Sequence, residues 1–354
     1  MSVPSRSSAG EFAGVLHDLL GSADVPAVAR RWAAGDLAPG LALWRRLAGV
    51  GVTGLLVPEK QGGLGASPLD LVAACEELGH HAVPGPVAES LAAVPALLAG
   101  LGSSAGAGSA VEWLSALAAG ELIATVAMPP WLPLAADTEA AGLVLVVKDG
   151  SVRVGRAGTR HRSVDPARSV AAVAYGEVLG TVSGLALEFG ALACAAQLLG
   201  AGRALLDASV RHVRVRTQFG RPVGAFQAVK HKLADVAIGL EFARPLLDAA
   251  ALSLGEGDAT AERDVSAAKV ACADAARRAG RVALQVHGAI GYTEEHDVSL
   301  WLLKIRALIP AWGTPSEHRA RVLSGLEVAP GAGLGEGGGQ VRARGVGLAG
   351  VPRG

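Results

Sequence analysis

Arg216 to Asp235 reads RTQFGRPVGAFQAVKHKLAD. The stretch starts where one helical pattern ends, crosses a Gly/Pro turn and opens the next helical pattern. Upstream, the run around Leu185 to Leu206 is the most apolar helix of the chain, interrupted by Glu188 and Gln197. Working outward, helices are predicted at about 185–217, 226–252, 260–288 and 295–309, with a last one near 315–326. Long amphipathic helices with short connections suggest a four-helix bundle. Arg216 at a helix C-terminus suits the dipole there, and its planar fork can bind a phosphate. Gln227, Lys230 and His231 lie in the first turns of the following helix, where free amides favour anions. On these residues alone the stretch is a turn with an anion-binding option. Lys230-His231-Lys232 reads as a helix surface with anion contacts and not as a nucleic-acid patch.

A second informative run is QVHGAIGYTEEHDVSLW, Gln285 to Trp301. Gly288 and Gly291 end a helix and let the backbone approach something closely. Taken alone, they are satisfied by a glycine C-cap between two helices.

Before the bundle the texture changes twice. From about 10 to 120 the chain reads as helical: Trp44, Leu47 and Val50 fall at helical spacing, and Asp70, Leu71, Ala74, Glu77 and Leu78 continue in a helix that stops at Gly79. The loop VPEKQGGLG, Val57 to Gly65, lies between them, and AESLAAVPALLAGLG is an apolar helical run with Pro95 as a kink or break. From about 122 to 182, LVLVVKDGSVRVG (Leu143 to Gly155) gives two short β-type runs around Asp149-Gly150, a hairpin signal. SVAAVAYGEV adds another strand. The fold class is therefore mainly α with a small β domain: an N-terminal helical domain (1–121), a shortened middle β domain (122–182), a C-terminal four-helix bundle (183–326) and a Gly-rich disordered tail (327–354). The last 24 residues hold ten glycines.

Composition sets the outer limits. The chain has 354 residues, 32 basic and 32 acidic side chains, and no net charge. That balance lacks the basic excess that bulk nucleic-acid binding needs. With 51% hydrophobic residues the chain is not a disordered one. Cys75, Cys194 and Cys272 form no CxxC pair and no metal-ligand cluster, so they read as small buried hydrophobes in a reducing compartment. The N-terminal MSVPSRSSAGEF has no apolar core of a signal peptide. No stretch offers the roughly 20 uninterrupted apolar residues of a membrane span, and a cytoplasmic location is expected. His80-His81, with Glu76 and Glu77 four residues before, raises the question of a metal. Adjacent histidines point to different faces, and a helix ending at Gly79 separates the pairs. A surface is expected there and no metal site.

RTQFGRPVGAFQAVKHKLAD and QVHGAIGYTEE, together with LAGVGVTGLLVPEKQGGLG and CEELG (Cys75 to Gly79) of the first domain, resemble the acyl-CoA dehydrogenase family, and the resemblance covers about residues 10 to 325. It implies the same helical, β and four-helix order. It also implies oxidation of an acyl-CoA thioester between Cα and Cβ with FAD: a carboxylate takes the α-proton and the β-hydrogen leaves as hydride to the flavin. Such a base must stand within hydrogen-bond reach of its proton, while the flavin carries the redox chemistry.

Two departures stand out against that resemblance. The family's usual base is a Glu directly before a Gly-Thr pair, but here the run is PAWGTPSEH and Trp312 stands before Gly313 and Thr314. Indole accepts no proton, and its bulk is expected to fill the space where acyl chain and flavin meet. Some members place the Glu on the first bundle helix, a position that falls on Gly190. Glu188 is two residues away, roughly 200° around the helix, and is expected to face elsewhere. Glu317 is expected on the solvent face of the last helix. These two glutamates are weak substitutes. In the middle domain, ATVAMPPWLPLAADTEAAGLVLVVKDG contains neither of the family's flavin-holding runs.

What the resemblance preserves is the half-site offered to a neighbouring subunit's FAD pyrophosphate and adenosine. Its positions are Arg216, Gln218, Phe219, Gln227, Gln285 and Gly288, with Ala289 where a second Gly is usual. The expectation is a non-catalytic subunit that pairs with a catalytic acyl-CoA dehydrogenase subunit, as heterodimer or heterotetramer, completes its FAD site in trans and meets the acyl-CoA only within the complex. An active enzyme with a displaced base and a flavin-free structural protein are the alternatives.

Overall fold

The computed structural model describes residues 6–101, 106–181, 185–293 and 296–327. The Gly-rich tail expected to be disordered lies, from residue 328 on, outside the described residues. The bundle is built on α7 (Ala186–Val215) and α8 (Gln227–Glu256), 30 residues each, and α9 (Ala261–His287), 27 residues. The fourth position is shared by two short helices, α10 (Val298–Leu308) and α11 (Pro315–Glu327). These bounds match the predicted helices to within a few residues.

The apolar character of α7 follows from its place. It packs against α8, α9 and α10 within the bundle and, on its remaining side, against α4 (Pro68–His80) of the N-terminal part. A helix covered all round has no polar face. By length and composition α7 could cross a membrane, but its most apolar 18-residue window is 83% buried inside the protein. Glu188 and Gln197, the polar interruptions, are both buried.

The α4–α7 crossing explains two glycines. A β-carbon at Gly79 would lie 2.2 Å from the Gln197 carbonyl oxygen, and one at Gly200 would lie 1.9 Å from the Glu76 carbonyl oxygen. The two backbones touch through reciprocal glycines. Gly79 is therefore not the stop that the sequence suggested. The helix continues to His80, and the chain turns at Ala82, whose φ is +53°. At its other end, Ser67 and Asp70 form a reciprocal capping box.

Around this crossing lie α1 (Arg6–Gly21), α2 (Val25–Ala33), α3 (Ala38–Gly49), α5 (Val94–Gly100) and α6 (Ala107–Ala118). Pro95 acts as a break: a π-helical turn over Glu89–Ala93 precedes α5, and the proline sits in the first turn of that helix, where its missing N–H is not needed.

The sheet contains β1 (Ala124–Ala127), β2 (Ala135–Ala136), β3 (Leu143–Lys148), β4 (Ser151–Arg162) and β5 (Ser169–Thr181), in the order β1-β3-β4-β5-β2. β1 runs parallel to β3 and the other pairs are antiparallel. The predicted hairpin joins β3 and β4. Asp149 and Gly150 both have positive φ, 50° and 71°, as the tight hairpin turn needs. A single hydrophobic cluster runs from Leu16 through Leu145 to Trp312, so the small sheet shares its core with both helical parts. Charge is buried at this junction too. Arg168 lies 3.5 Å from the Glu89 carboxylate, and Asp137, Asp165 and Lys304 are buried nearby in the same electrostatic field. Burial pushes the Asp137 carboxyl up to about 7.

Candidate functional site

The stretch that opened the sequence reading forms one end of the bundle. α7 ends at Val215, and Thr217–Gln218 (β6) pairs with Arg221–Pro222 (β7) in a small hairpin before α8 begins at Gln227. Phe219 and Gly220 form its tip with φ of +52° and +74°. Phe219 is 90% exposed, far beyond what a core phenylalanine shows. Arg221 lies over the Phe226 ring, 4.1 Å from its centroid, and stiffens the base of the hairpin.

Because α7, α8 and α9 alternate in direction, the end of α9 reaches the same place. Lys232 Nζ donates to Gln285 Oε1 at 2.6 Å, and the His212 and His287 rings lie 4.3 Å apart. Gly288 closes α9 with φ 64° and ψ −141°, a conformation suited to glycine, and a β-carbon there would meet nothing. Arg216, Gln218, Phe219, Gln227, Gln285, Gly288 and Ala289 are all exposed. No side chain caps the N-terminus of α8, and Arg221, Lys230, His231 and Lys232 add exposed cations or imidazole. Uncapped amides and cations fit a phosphate-bearing ligand. Midway along α8, Ile238, Phe242 and Leu246 form an exposed stripe at i, i+4, i+8, bordering a groove of about 400 Å³ shared with the middle of α9.

The second half of the expected site is closed. Trp312 lies in the turn between α10 and α11 with φ +61° and has no exposed surface. Its indole lies on Gly190: a β-carbon at Gly190 would stand 2.4 Å from the indole Cζ3. The two positions that resemblance offers for a base therefore face each other, and neither carries a carboxylate. The turn is held on several sides. The Gly313 N–H donates to the Trp131 carbonyl at 3.1 Å, and His318 Nε2–H donates to the Trp312 carbonyl at 2.8 Å. His318 Nδ1 pairs with Ser266 Oγ at 3.1 Å, and the buried Lys269 Nζ donates to the carbonyls of Leu308 and Ile309 at 3.2 and 3.0 Å. Burial drives the Lys269 ammonium below its usual pKa.

The middle-domain segment that lacks the family's flavin-holding runs packs onto this turn. A β-carbon on Gly313 would fall 2.7 Å from the Trp131 ring, and Arg321 lies over the same ring at 5.1 Å. A flavin ring and an acyl chain do not fit between Gly190 and Trp312, which are in direct contact.

The two substitute glutamates are engaged elsewhere. Glu188 is buried and its Oε1 accepts from Arg321 at 2.6 Å, so it faces α11. Glu317 is exposed, as expected. It accepts from the Thr314 N–H and hydroxyl, both at 2.7 Å, and these hydrogen bonds hold its carboxyl below the usual range. Thr314-Pro-Ser-Glu317 is a capping box for α11 with proline at the first helical position, and its Thr-x-x-Glu spacing is present in the sequence.

His318 gives a pH-dependent test of the lock on Trp312. Burial lowers its pKa from 6.5 to about 4, so the unfolded chain binds more protons than the folded one between those values. Its contribution to stability is complete above pH 6.5 and falls as pH drops toward 4. The stability gap between wild type and His318→Gln is expected to narrow by about 2 kcal/mol from pH 7.5 to pH 5. Urea unfolding at both pH values measures it; a constant gap contradicts the neutral, locked imidazole.

The histidine pair at the end of α4 departs from expectation. His80 and His81 side chains are 15% and 14% exposed, so they are partly buried where a surface was expected. The cause is α1, which packs over the end of α4 and brings in His17, 63 residues earlier than His80 in sequence.

A family model for the N-terminal domain of acyl-CoA dehydrogenases matches residues 17–121, and one for their C-terminal domain matches residues 181–326. Acyl-CoA dehydrogenase IpdE2 of Mycobacterium tuberculosis is 30% identical over 86% of this chain and 93% of its own length. Among solved structures, butyryl-CoA dehydrogenase of Megasphaera elsdenii superposes with a TM-score of 0.77 at 21% identity, over 92% of this chain and 100% of that one. A chain of the ChsE4–ChsE5 complex of Mycobacterium tuberculosis superposes with a TM-score of 0.75 at 23% identity, over 94% and 100% respectively.

Proposed function

Since the chain belongs to the acyl-CoA dehydrogenase family, we propose that it serves as the non-catalytic subunit of a heteromeric acyl-CoA dehydrogenase, offering its exposed bundle end to the FAD of a catalytic partner. The observation that carries this reading is the indole of Trp312 packed on Gly190. It occupies the place of both base positions, in a chain whose half-site for a neighbour stays open. FAD, when bound in the complex, supplies the hydride acceptor. This chain's own residues bind and orient: the Arg216 guanidinium and the uncapped start of α8 hold phosphate oxygens, Gln218 and Gln285 offer amides, and Gly288 leaves room for close approach. The apolar stripe of Ile238, Phe242 and Leu246, midway along α8, supports a partner-facing role for that face of the bundle. A chain of the same fold occurs in the ChsE4–ChsE5 complex, which supports assembly with a second chain. A cytoplasmic location belongs to the same proposal.

An active enzyme with a displaced base is the weaker reading, because the Glu188 carboxylate is held by Arg321 and that of Glu317 caps a helix. The test is flavin stoichiometry, measured for this chain alone and for the chain co-purified with a full-motif relative encoded nearby. FAD is expected only in the complex. Arg216→Ala in the complex should weaken FAD retention by about 1.5–3 kcal/mol, as for loss of a charge-assisted hydrogen bond. One FAD per subunit and desaturation of an acyl-CoA by the isolated chain would overturn the proposal.

A further inference from the structure

Where α1 crosses the end of α4, three imidazoles and a buried carboxylate converge. His17 Nδ1 stands 2.9 Å from Glu77 Oε2 and 3.2 Å from His81 Nε2, and His81 Nε2 stands 4.0 Å from Glu77 Oε2. With a ring nitrogen of His80, the four ligand atoms all lie within 4.8 Å of one another. We infer that His17, Glu77, His80 and His81 form a divalent transition-metal site of the zinc type, unrelated to the flavin chemistry of the fold.

The spacing supports it. Zinc bonds of about 2.0–2.1 Å in a tetrahedron set ligand–ligand separations near ~3.4 Å, and the three measured distances fall on either side of that value. The proton economy supports it as well: a single proton on His17 Nδ1 serves either Glu77 or His81 well, whereas one cation satisfies all of these atoms. Imidazole nitrogens must be neutral to ligate. Three nitrogens and one carboxylate oxygen favour zinc, nickel or copper over magnesium or calcium.

Outer contacts are in place. His80 Nε2 pairs with Asp207 Oδ2 at 3.2 Å while its Nδ1 is buried without a partner among the described residues, and the His80 carbonyl accepts from Trp301 Nε1 at 2.8 Å. A carboxylate behind a histidine ligand orients the ring and strengthens it as a donor. A cavity of about 570 Å³, lined by His17, His80, His81 and Arg211 among others, gives an entry path from solvent. Four protein ligands leave no open position, so the metal's role is to tie α1 to α4.

The full chain, stripped with a chelator, is titrated with ZnCl2 by calorimetry and then with CoCl2 by visible absorption. One zinc per chain is expected, together with the intense visible bands of tetrahedral cobalt and a higher melting temperature with metal. His17 is half exposed on α1, so His17→Gln should fold, as circular dichroism checks. It should bind zinc at least ~100-fold more weakly, the upper end of what losing even an outer-shell partner costs. His81→Gln should do the same, and Lys148→Gln, exposed at the β3–β4 hairpin, should leave zinc binding unchanged. Absence of stoichiometric zinc in the wild type, or equal affinity in the His17→Gln and His81→Gln variants, overturns the site.

Discussion

Trp312→Ala is expected to lower the folding free energy by about 3–5 kcal/mol, the range for deleting a large aromatic side chain from a core. The upper part of the range applies. The indole has no exposed surface, and the facing surface is the backbone of α7 at Gly190. A helix backbone pinned between α4, α8 and α9 cannot collapse into the void. Indole Nε1 is buried without a partner among the described residues, so no hydrogen bond is lost and the cost is one of packing. Urea denaturation followed by circular dichroism measures it. A loss under 1 kcal/mol contradicts the packing described between α7 and the α10–α11 turn. The fold should otherwise persist, because the turn keeps its hydrogen bonds to Trp131 and His318.

Arg321→Leu is the second large effect, again about 3–5 kcal/mol, the cost of removing one partner of a buried ion pair. Arg321 bridges Glu188, 4% exposed, and Glu262, whose side chain is 63% exposed. Glu262 returns to water at little cost, but Glu188 is left buried and unpaired. Adding Glu188→Gln should restore part of the loss, since a neutral amide needs no counter-ion. If the single variant unfolds at wild-type urea concentrations, the pair contributes nothing and the position of Glu188 needs another explanation.

The three-part architecture was legible because each part carries its own period. The bundle helices repeat at helical spacing, and Asp149-Gly150 marks the hairpin between β-type runs. Trp312 before Gly313-Thr314 was legible through resemblance, and its burial follows from the size and polarity of indole. Other features depend on distance in sequence. Gly79 looks like a helix stop in isolation and becomes a contact point only when Gly200 arrives from 121 residues later. His80-His81 reads as a surface pair because nothing local announces His17. The lock of His318 and Ser266 on the Trp312 carbonyl joins residues from α9 and α11, and no spacing rule links them. Local propensity reads elements; the site is made by crossings.

The contact between Trp312 and Gly190 also bears on ancestry and engineering. A glutamate introduced at 190 puts its β-carbon 2.4 Å from the indole, far inside van der Waals contact, and a glutamate introduced at 312 leaves a void around a desolvated charge. Each single change is worse than the present pair, and both must change together before a carboxylate can face a substrate. Lineages do not readily cross such a valley one substitution at a time. A chain that has acquired the tryptophan is committed to its companion, and engineers who want an autonomous enzyme must rebuild both positions at once.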